Sequence, residues 1–180
     1  ETGRGLRHLA SVQAETRVRA GDEVFVLTGK ESVRRALHAI GNPDRPVRRM
    51  MIAGGGKVGL RLARGLVGQC SVKIIEANRK RCDYLASELP SEMLVLQGDG
   101  TDEELLVDEN VADMDLFIAV TSDDEDNILA AMLAKRLGAR RVIALINRRA
   151  YAEMMQGSTI DIAISPAHAV IGELLMHVRR

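Results

Sequence analysis

The chain has no tryptophan, and two tyrosines and two phenylalanines bring aromatic residues to only 2% of 180. Few side chains could therefore stack on exposed bases. Lys plus Arg balance Asp plus Glu at 25 each, so no net field gathers phosphate backbones either. Nucleic acid is disfavoured as a partner. Cys70 and Cys82 are the only cysteines and form no C-x-x-C pair. They suggest neither a disulfide framework nor a zinc site, and read most naturally as thiols of a reducing compartment. No apolar run approaches the roughly 20 residues of a membrane span, and no stretch reads as a signal peptide. The histidines, His8, His38, His168 and His177, have neither ligand spacing nor a nucleophile nearby. What the chain does have is a 46% hydrophobic content, enough for the core of one ordinary domain plus a fragment.

Residues Arg49 to Leu60 set an apolar strand, a G-x-G-x-x-G turn and an apolar-periodic helix in succession. Gly54 would allow the tight turn, Gly56 would let the backbone approach a pyrophosphate, and Gly59 would let the helix pack closely on the strand. The helix N-terminal amides then face the anion, which makes Gly54, Gly56, Lys57, Val58 and Gly59 the candidate phosphate contacts. Lys57 either points a charge at a phosphate or only solvates the helix start. The glycine spacing alone is a weak signal. Its context is stronger, because the β-branched run from Ser71 ends in Glu76, where the fingerprint expects an acid that accepts from ribose hydroxyls. Asn78-Arg79-Lys80-Arg81 follows. Its charge could meet a 2′-phosphate, but Glu76 would repel that group, which favours a solvated helical turn capped by Asn78.

Beyond Gly59, strand and helix alternate, the pattern of a doubly wound parallel sheet in a Rossmann-like α/β fold. Six strands are expected, at 48–53, 72–76, 93–97, 116–120, 141–146 and 161–164. Asn78 is the expected cap of one helix, Thr101 with Glu104 and Ser122 with Glu125 form two capping boxes, and Ser165-Pro166 opens a final helix. Strand order 3-2-1-4-5-6 would place a ligand crevice over the glycine turn, between the first and fourth strands. Residues 1–45 do not fit this unit. They read as part of a small preceding α+β lobe with a linker at Gly41 to Pro46, so the domains are 1–45 and 46–180.

Two further motifs fall on the ligand edge. Asp99, in Gln97-Gly98-Asp99-Gly100-Thr101, either accepts from an adenine amine or serves as a turn carboxylate. Thr121 and Asn127 offer uncharged groups for a phosphate or second ribose. Asp123, Asp124 and Glu125 complement the helix dipole, most of them serving helix stability and facing solvent, and a divalent-metal site built from them is not favoured.

Met51 to Gly59, Gln97 to Thr101, Thr121 to Ile128 and Ala144 to Arg148 together resemble the nucleotide-binding RCK (KTN) domains of Trk-type potassium-uptake regulatory proteins, the second such domain of a tandem. The likeness runs from about residue 48 to 180. The first segment resembles the end of the preceding C-terminal lobe. The resemblance implies a cytoplasmic, peripheral, non-enzymatic regulator that binds NAD(H), ATP or ADP, assembles as a homo-oligomer through RCK domains and acts on a TrkH-type membrane subunit. It implies phosphate contacts at Gly54, Gly56 and Gly59, ribose at Glu76, adenine near Asp99, and the distal ligand half near Thr121. Gly100 departs from the family, which commonly has Ala there. The stripe Ile171, Leu174, Leu175 and Val178 is expected to pack on a second copy or RCK half. Two alternatives are an NAD(P)-dependent oxidoreductase domain, against which no acid or base stands out, and an assembly module whose nucleotide is structural.

Overall fold

The computed structural model describes residues 46–155 and 159–165. The expected lobe at 1–45, the four histidines, and the final helix with its apolar stripe lie outside the described residues.

β1 (Arg49–Ala53) reveals why this sequence builds a two-faced sheet. Successive side chains of a strand point to opposite faces, and here both sets are apolar. Met50 and Ile52 join one core with Val72, Ile74, Leu60, Ala63 and Leu85, while Met51 and Ala53 join the other with Phe117, Leu106, Ala130 and Ala131. The first core is closed by α1 (Lys57–Gly65) and α2 (Arg79–Glu88), and the second by α3 (Glu103–Asp108) and α4 (Asp124–Arg136). Between the helices run β2 (Ser71–Glu76), β3 (Leu94–Gln97), β4 (Leu116–Ala119), β5 (Val142–Leu145) and β6 (Ile162–Ile164), with α5 (Arg149–Met155) joining the last two.

Every strand pairing is parallel, in the order β3-β2-β1-β4-β5-β6. Ile52 aligns with Ile74 on one side and Ile118 on the other. The chain leaves β1 toward β2 and β3, then returns to β4 on the other side. The connections at β1 and β4 thus diverge and leave an opening at their C-terminal ends. The six expected strands match within one residue at each end.

Two expected caps are corrected. The capping boxes at Thr101 and Ser122 do not form, because the next residue caps in each case. Asp102 accepts from the amides of Glu104 (3.0 Å) and Leu105 (3.3 Å), and Asp123 from that of Asp126 (3.0 Å). A carboxylate near a helix N-terminus also has a favourable interaction with the dipole. Asn78 caps α2, accepting from the Arg81 amide at 3.0 Å.

At the opposite edge of the sheet, Asp115 accepts from the amides of Arg48 (2.8 Å) and Arg49 (3.0 Å) and pairs with Arg140 at 3.2 Å. The Arg48 and Arg49 amides, helped by the charges of Arg140 and Arg49, hold its carboxyl below the usual aspartate range. A depressed pKa stabilises the fold above the unfolded-state value, and that contribution is lost as pH falls through the ordinary carboxylate range and below. Asp115→Ala is expected to cost about 1–2 kcal/mol at neutral pH. In urea unfolding, the gap from the parent should narrow on acidification. A gap that stays constant with pH would show that the charge contributes nothing.

Among the described residues, no helix is long and apolar enough to cross a membrane.

Candidate nucleotide crevice

The glycines after β1 each meet a different constraint. Gly54 has φ +112°, and a Cβ there would lie 2.8 Å from the Thr121 nitrogen and from the Val120 carbonyl carbon. Only a glycine lets the turn pass this close to the end of β4. Gly56 is the N-cap of α1, and a Cβ there would meet nothing within 4 Å. Gly59 sits under the turn, where a Cβ would lie 2.0 Å from the Gly54 carbonyl oxygen. The helix therefore starts against the strand with its first turn at the crevice, and no side chain caps it.

Gly55 is held from two sides. Its amide donates to Glu76 Oε2 at 2.9 Å, and its carbonyl accepts from Arg81 Nε at 2.7 Å. The other Glu76 oxygen accepts from the Asn78 amide at 2.8 Å. Glu76 thus fastens the end of β2 to the glycine turn while lining the crevice beside it. A Cβ on Gly55 would fall 2.3 Å from Leu85 Cδ1 and 3.0 Å from Glu76 Oε2. Arg79 pairs with Asp83 and donates to Gln97. Of the three cations after Asn78, two are therefore committed within the protein.

The loop after β3 closes a second wall. Asp99 Oδ1 accepts from the Thr101 amide (2.8 Å) and hydroxyl (2.7 Å), and these bonds hold its carboxyl below the usual range. Its other oxygen makes no hydrogen bond among the described residues. A Cβ at Gly100 would approach the Ala53 Cβ to 2.7 Å. The departure at this position therefore lets the loop lie tightly on the end of β1, where alanine would force a shift.

Across the opening, the Thr121 amide donates to Asn127 Oδ1 at 2.7 Å, and the Asn127 amide group donates to the carbonyls of Thr121 (3.2 Å) and Leu145 (2.8 Å). Asn127 is fully buried. Its expected part as a ligand contact is corrected, because its side-chain amide is spent on the protein and acts on the crevice only by fixing Thr121. Asp124 is corrected likewise. It is 5% exposed rather than solvated, and accepts from the Asn147 amide (2.8 Å), the Asn147 side chain (3.0 Å) and the Arg148 amide (2.8 Å). Burial alone would raise its pKa, but the bonds from Asn147 and Arg148 and the Arg148 charge outweigh burial and hold it low. Two inward polar side chains of α4 thus tie the crevice wall to the end of β5.

The result is a cavity of about 280 Å³ lined by Gly54, Gly56, Glu76, Asp99 and Thr121, with Ala53, Ala77, Gly98, Gly100, Thr101, Ser122, Asp126 and Ala130 among its further neighbours. Lys57, Val58, Gly59 and Asn127 do not line it. Lys57 and Val58 are exposed on the first turn of α1, and Gly59 is buried behind the turn. The crevice carries three carboxylates, Glu76, Asp99 and Asp126, and no cationic side chain lines it. Among the described residues, no group of His, Cys, Asp and Glu is arranged to hold a metal.

Residues 50–166 match the family model of the TrkA-N domain. The chain is 46% identical over 168 residues to the Trk system potassium uptake protein TrkA of Vibrio alginolyticus, covering 93% of this chain and 36% of that protein. It is 38% identical over 160 residues to a Trk system potassium uptake protein homologue of Methanosarcina mazei, covering 88% of this chain and 39% of the relative. The chain therefore spans little more than a third of these relatives. Among solved structures, it is similar to the TrkA-N domain of the inner membrane protein ybaL from Escherichia coli, with TM-score 0.63, 16% identity, and 74% and 97% of the two chains covered. It is also similar to the GsuK channel bound to NAD, with TM-score 0.61, 22% identity, and 74% and 24% covered. A third is the Shewanella denitrificans Kef C-terminal domain in AMP-bound form, with TM-score 0.57, 16% identity, and 71% and 77% covered.

Proposed function

The chain belongs to the TrkA-N domain family, and from that premise we propose that it is the nucleotide-sensing domain of a Trk-type potassium-uptake regulator. The observation that carries this reading is the open face of Gly56 at a cavity flanked by Glu76 and Asp99. Backbone amides at the helix start would take the phosphates, Glu76 the adenosine ribose, and Asp99 an amine of the base. Solved neighbours with this fold are named as bound to NAD and to AMP, two ligands that share an adenosine phosphate. The regulator works on the cytoplasmic face, peripheral to a TrkH-type pore subunit, and assembles with further copies of itself. It catalyses no reaction. Nucleotide binds one arrangement of the assembled domains more tightly, and that difference biases the pore by about 1–3 kcal/mol. Calorimetry of the purified chain with NAD, NADH, ADP and ATP is the direct test, with GTP as control. Failure of every adenine nucleotide to bind at millimolar concentration would sink the reading.

Glu76 has two tasks in this scheme, holding Gly55 and meeting the ribose. Glu76→Ala is therefore expected to weaken NAD by about 1.5–3 kcal/mol, roughly ten- to a hundredfold, and inorganic pyrophosphate by less. Unchanged pyrophosphate affinity would confine Glu76 to the ribose. Equal losses would confine it to the loop.

A further inference from the structure

No cationic side chain lines the crevice, so an anion there depends on backbone N–H groups and on the direction in which each of them points. The peptide between Gly55 and Gly56 is the one at risk. Neither residue that flanks it carries a Cβ to hinder rotation, and if turned over it would show an incoming phosphate the Gly55 oxygen instead of the Gly56 N–H. A donor would become an acceptor.

Arg81 holds this peptide from behind. Its Nε donates to the Gly55 carbonyl at 2.7 Å, and because the peptide is trans the Gly56 N–H points the opposite way. Among the described residues the Gly56 amide has no hydrogen-bond partner, and Gly56 lines the cavity. Clamp and free donor thus belong to opposite edges of one plane. The guanidinium is itself constrained, since Arg81 is half-buried on α2 and its guanidinium carbon lies 4.8 Å from the centre of the Tyr84 ring one turn on. Its charge makes the bond stronger than a neutral one. Glu76 fixes the preceding peptide by accepting from the Gly55 N–H at 2.9 Å, so two side chains govern successive peptides of a turn made of three glycines. Only one of the two faces the ligand, because Glu76 lines the cavity and Arg81 does not.

We infer that Arg81 is the positioning residue of the phosphate site, acting through its hydrogen bond to the Gly55 carbonyl, which keeps the Gly56 N–H turned toward the anion. The inference rests on the crevice being a nucleotide site. It assigns the phosphate and the ribose to different clamps: Arg81 serves whatever phosphate enters, whereas Glu76 also meets the sugar.

Two substitutions of nearly equal length isolate the bond. In Arg81→Gln the side-chain amide nitrogen stands where Nε stood and still donates, whereas in Arg81→Met a methyl group stands there and cannot. Both lose the charge, so the comparison between them reads the hydrogen bond alone. Calorimetry with inorganic pyrophosphate and with NAD should give R81M at least about tenfold weaker than R81Q for each ligand, with R81Q between R81M and the parent. Arg81→Ala, which also lacks a donor, should match R81M. Gln, Met and Ala all favour helix, so the variants should fold, which circular dichroism checks. In nitrogen–proton spectra of the ligand-free proteins, the Gly56 amide should keep its parental position in R81Q and shift or broaden in R81M. Equal pyrophosphate affinity in R81Q and R81M would overturn the role of Arg81 while leaving the nucleotide site standing. A larger loss for NAD than for pyrophosphate in R81M would overturn it too, because the effect would then run through the ribose. A parent that binds neither ligand would overturn the site itself.

Discussion

Gly56→Val should unfold at nearly the parent's temperature and bind nucleotide at least about a hundredfold more weakly, a loss of about 3 kcal/mol or more. The two halves of this result have separate causes. Gly56 has φ −64° and ψ −164°, an extended conformation open to any residue, and a Cβ there meets nothing within 4 Å. Valine is a poorer N-cap than glycine, which costs about 1 kcal/mol or less. The added methyls, however, occupy the space in front of the first amides of α1, through which a phosphate would have to approach. Thermal melting and calorimetry on the same sample separate stability from binding. A folded variant with parental affinity would remove Gly56 from the phosphate site and the whole assignment with it.

The course of the sheet was legible because its signals are local and redundant. β1 announces itself by an apolar run buried on both faces, and the glycine turn, the following helix and Glu76 lie in fixed sequence relation to it. Side-chain commitments made through space were not legible. In the run Asp123 to Asp126, four neighbouring acids look alike, yet one caps, one is buried and one lines the crevice. A signal did exist. Asp124, Asn127, Ala131 and Ala134 recur at i, i+3, i+7 and i+10 and are all buried, so the two polar residues stand in phase with the alanines that face the sheet. Polar residues on an inward stripe must find partners, and these find the end of β5.

The misplaced caps have a similar origin. Thr101 and Ser122 fit the S/T-x-x-E pattern, but the hydroxyl of Thr101 was already bound to Asp99, and an aspartate stood one residue closer to each helix. The pattern states which residues can cap, while the competition between neighbours is settled by the loop that delivers the chain. Gly55 illustrates the same limit. Any residue is allowed at that place in the fingerprint, and only the packed Leu85 and Glu76 make glycine necessary here.

Gly59→Ala is expected to cost about 3 kcal/mol or more, a large part of the roughly 5–15 kcal/mol that holds a domain folded. In an ordinary helix the same change would stabilise by about 1 kcal/mol. The sign reverses because the Cβ would fall 2.0 Å from the Gly54 oxygen and 3.1 Å from its carbonyl carbon. Both are backbone atoms, so no side chain can rotate aside. Gly54 cannot withdraw either, being packed against the Val120 and Thr121 backbone on its other side. Relief requires α1 to lift from the sheet, which strips Leu60 and Ala63 from the core they share with Ile52 and Ile74. It also opens the turn that presents Gly56, so nucleotide affinity should fall together with stability. Gly65→Ala, at the far end of the same helix with nothing within 4 Å of its Cβ, is the control and should be neutral or slightly stabilising. Urea unfolding of both variants against the parent decides the matter. A Gly59→Ala protein within about 1 kcal/mol of the Gly65→Ala protein would mean that α1 does not sit on the glycine turn.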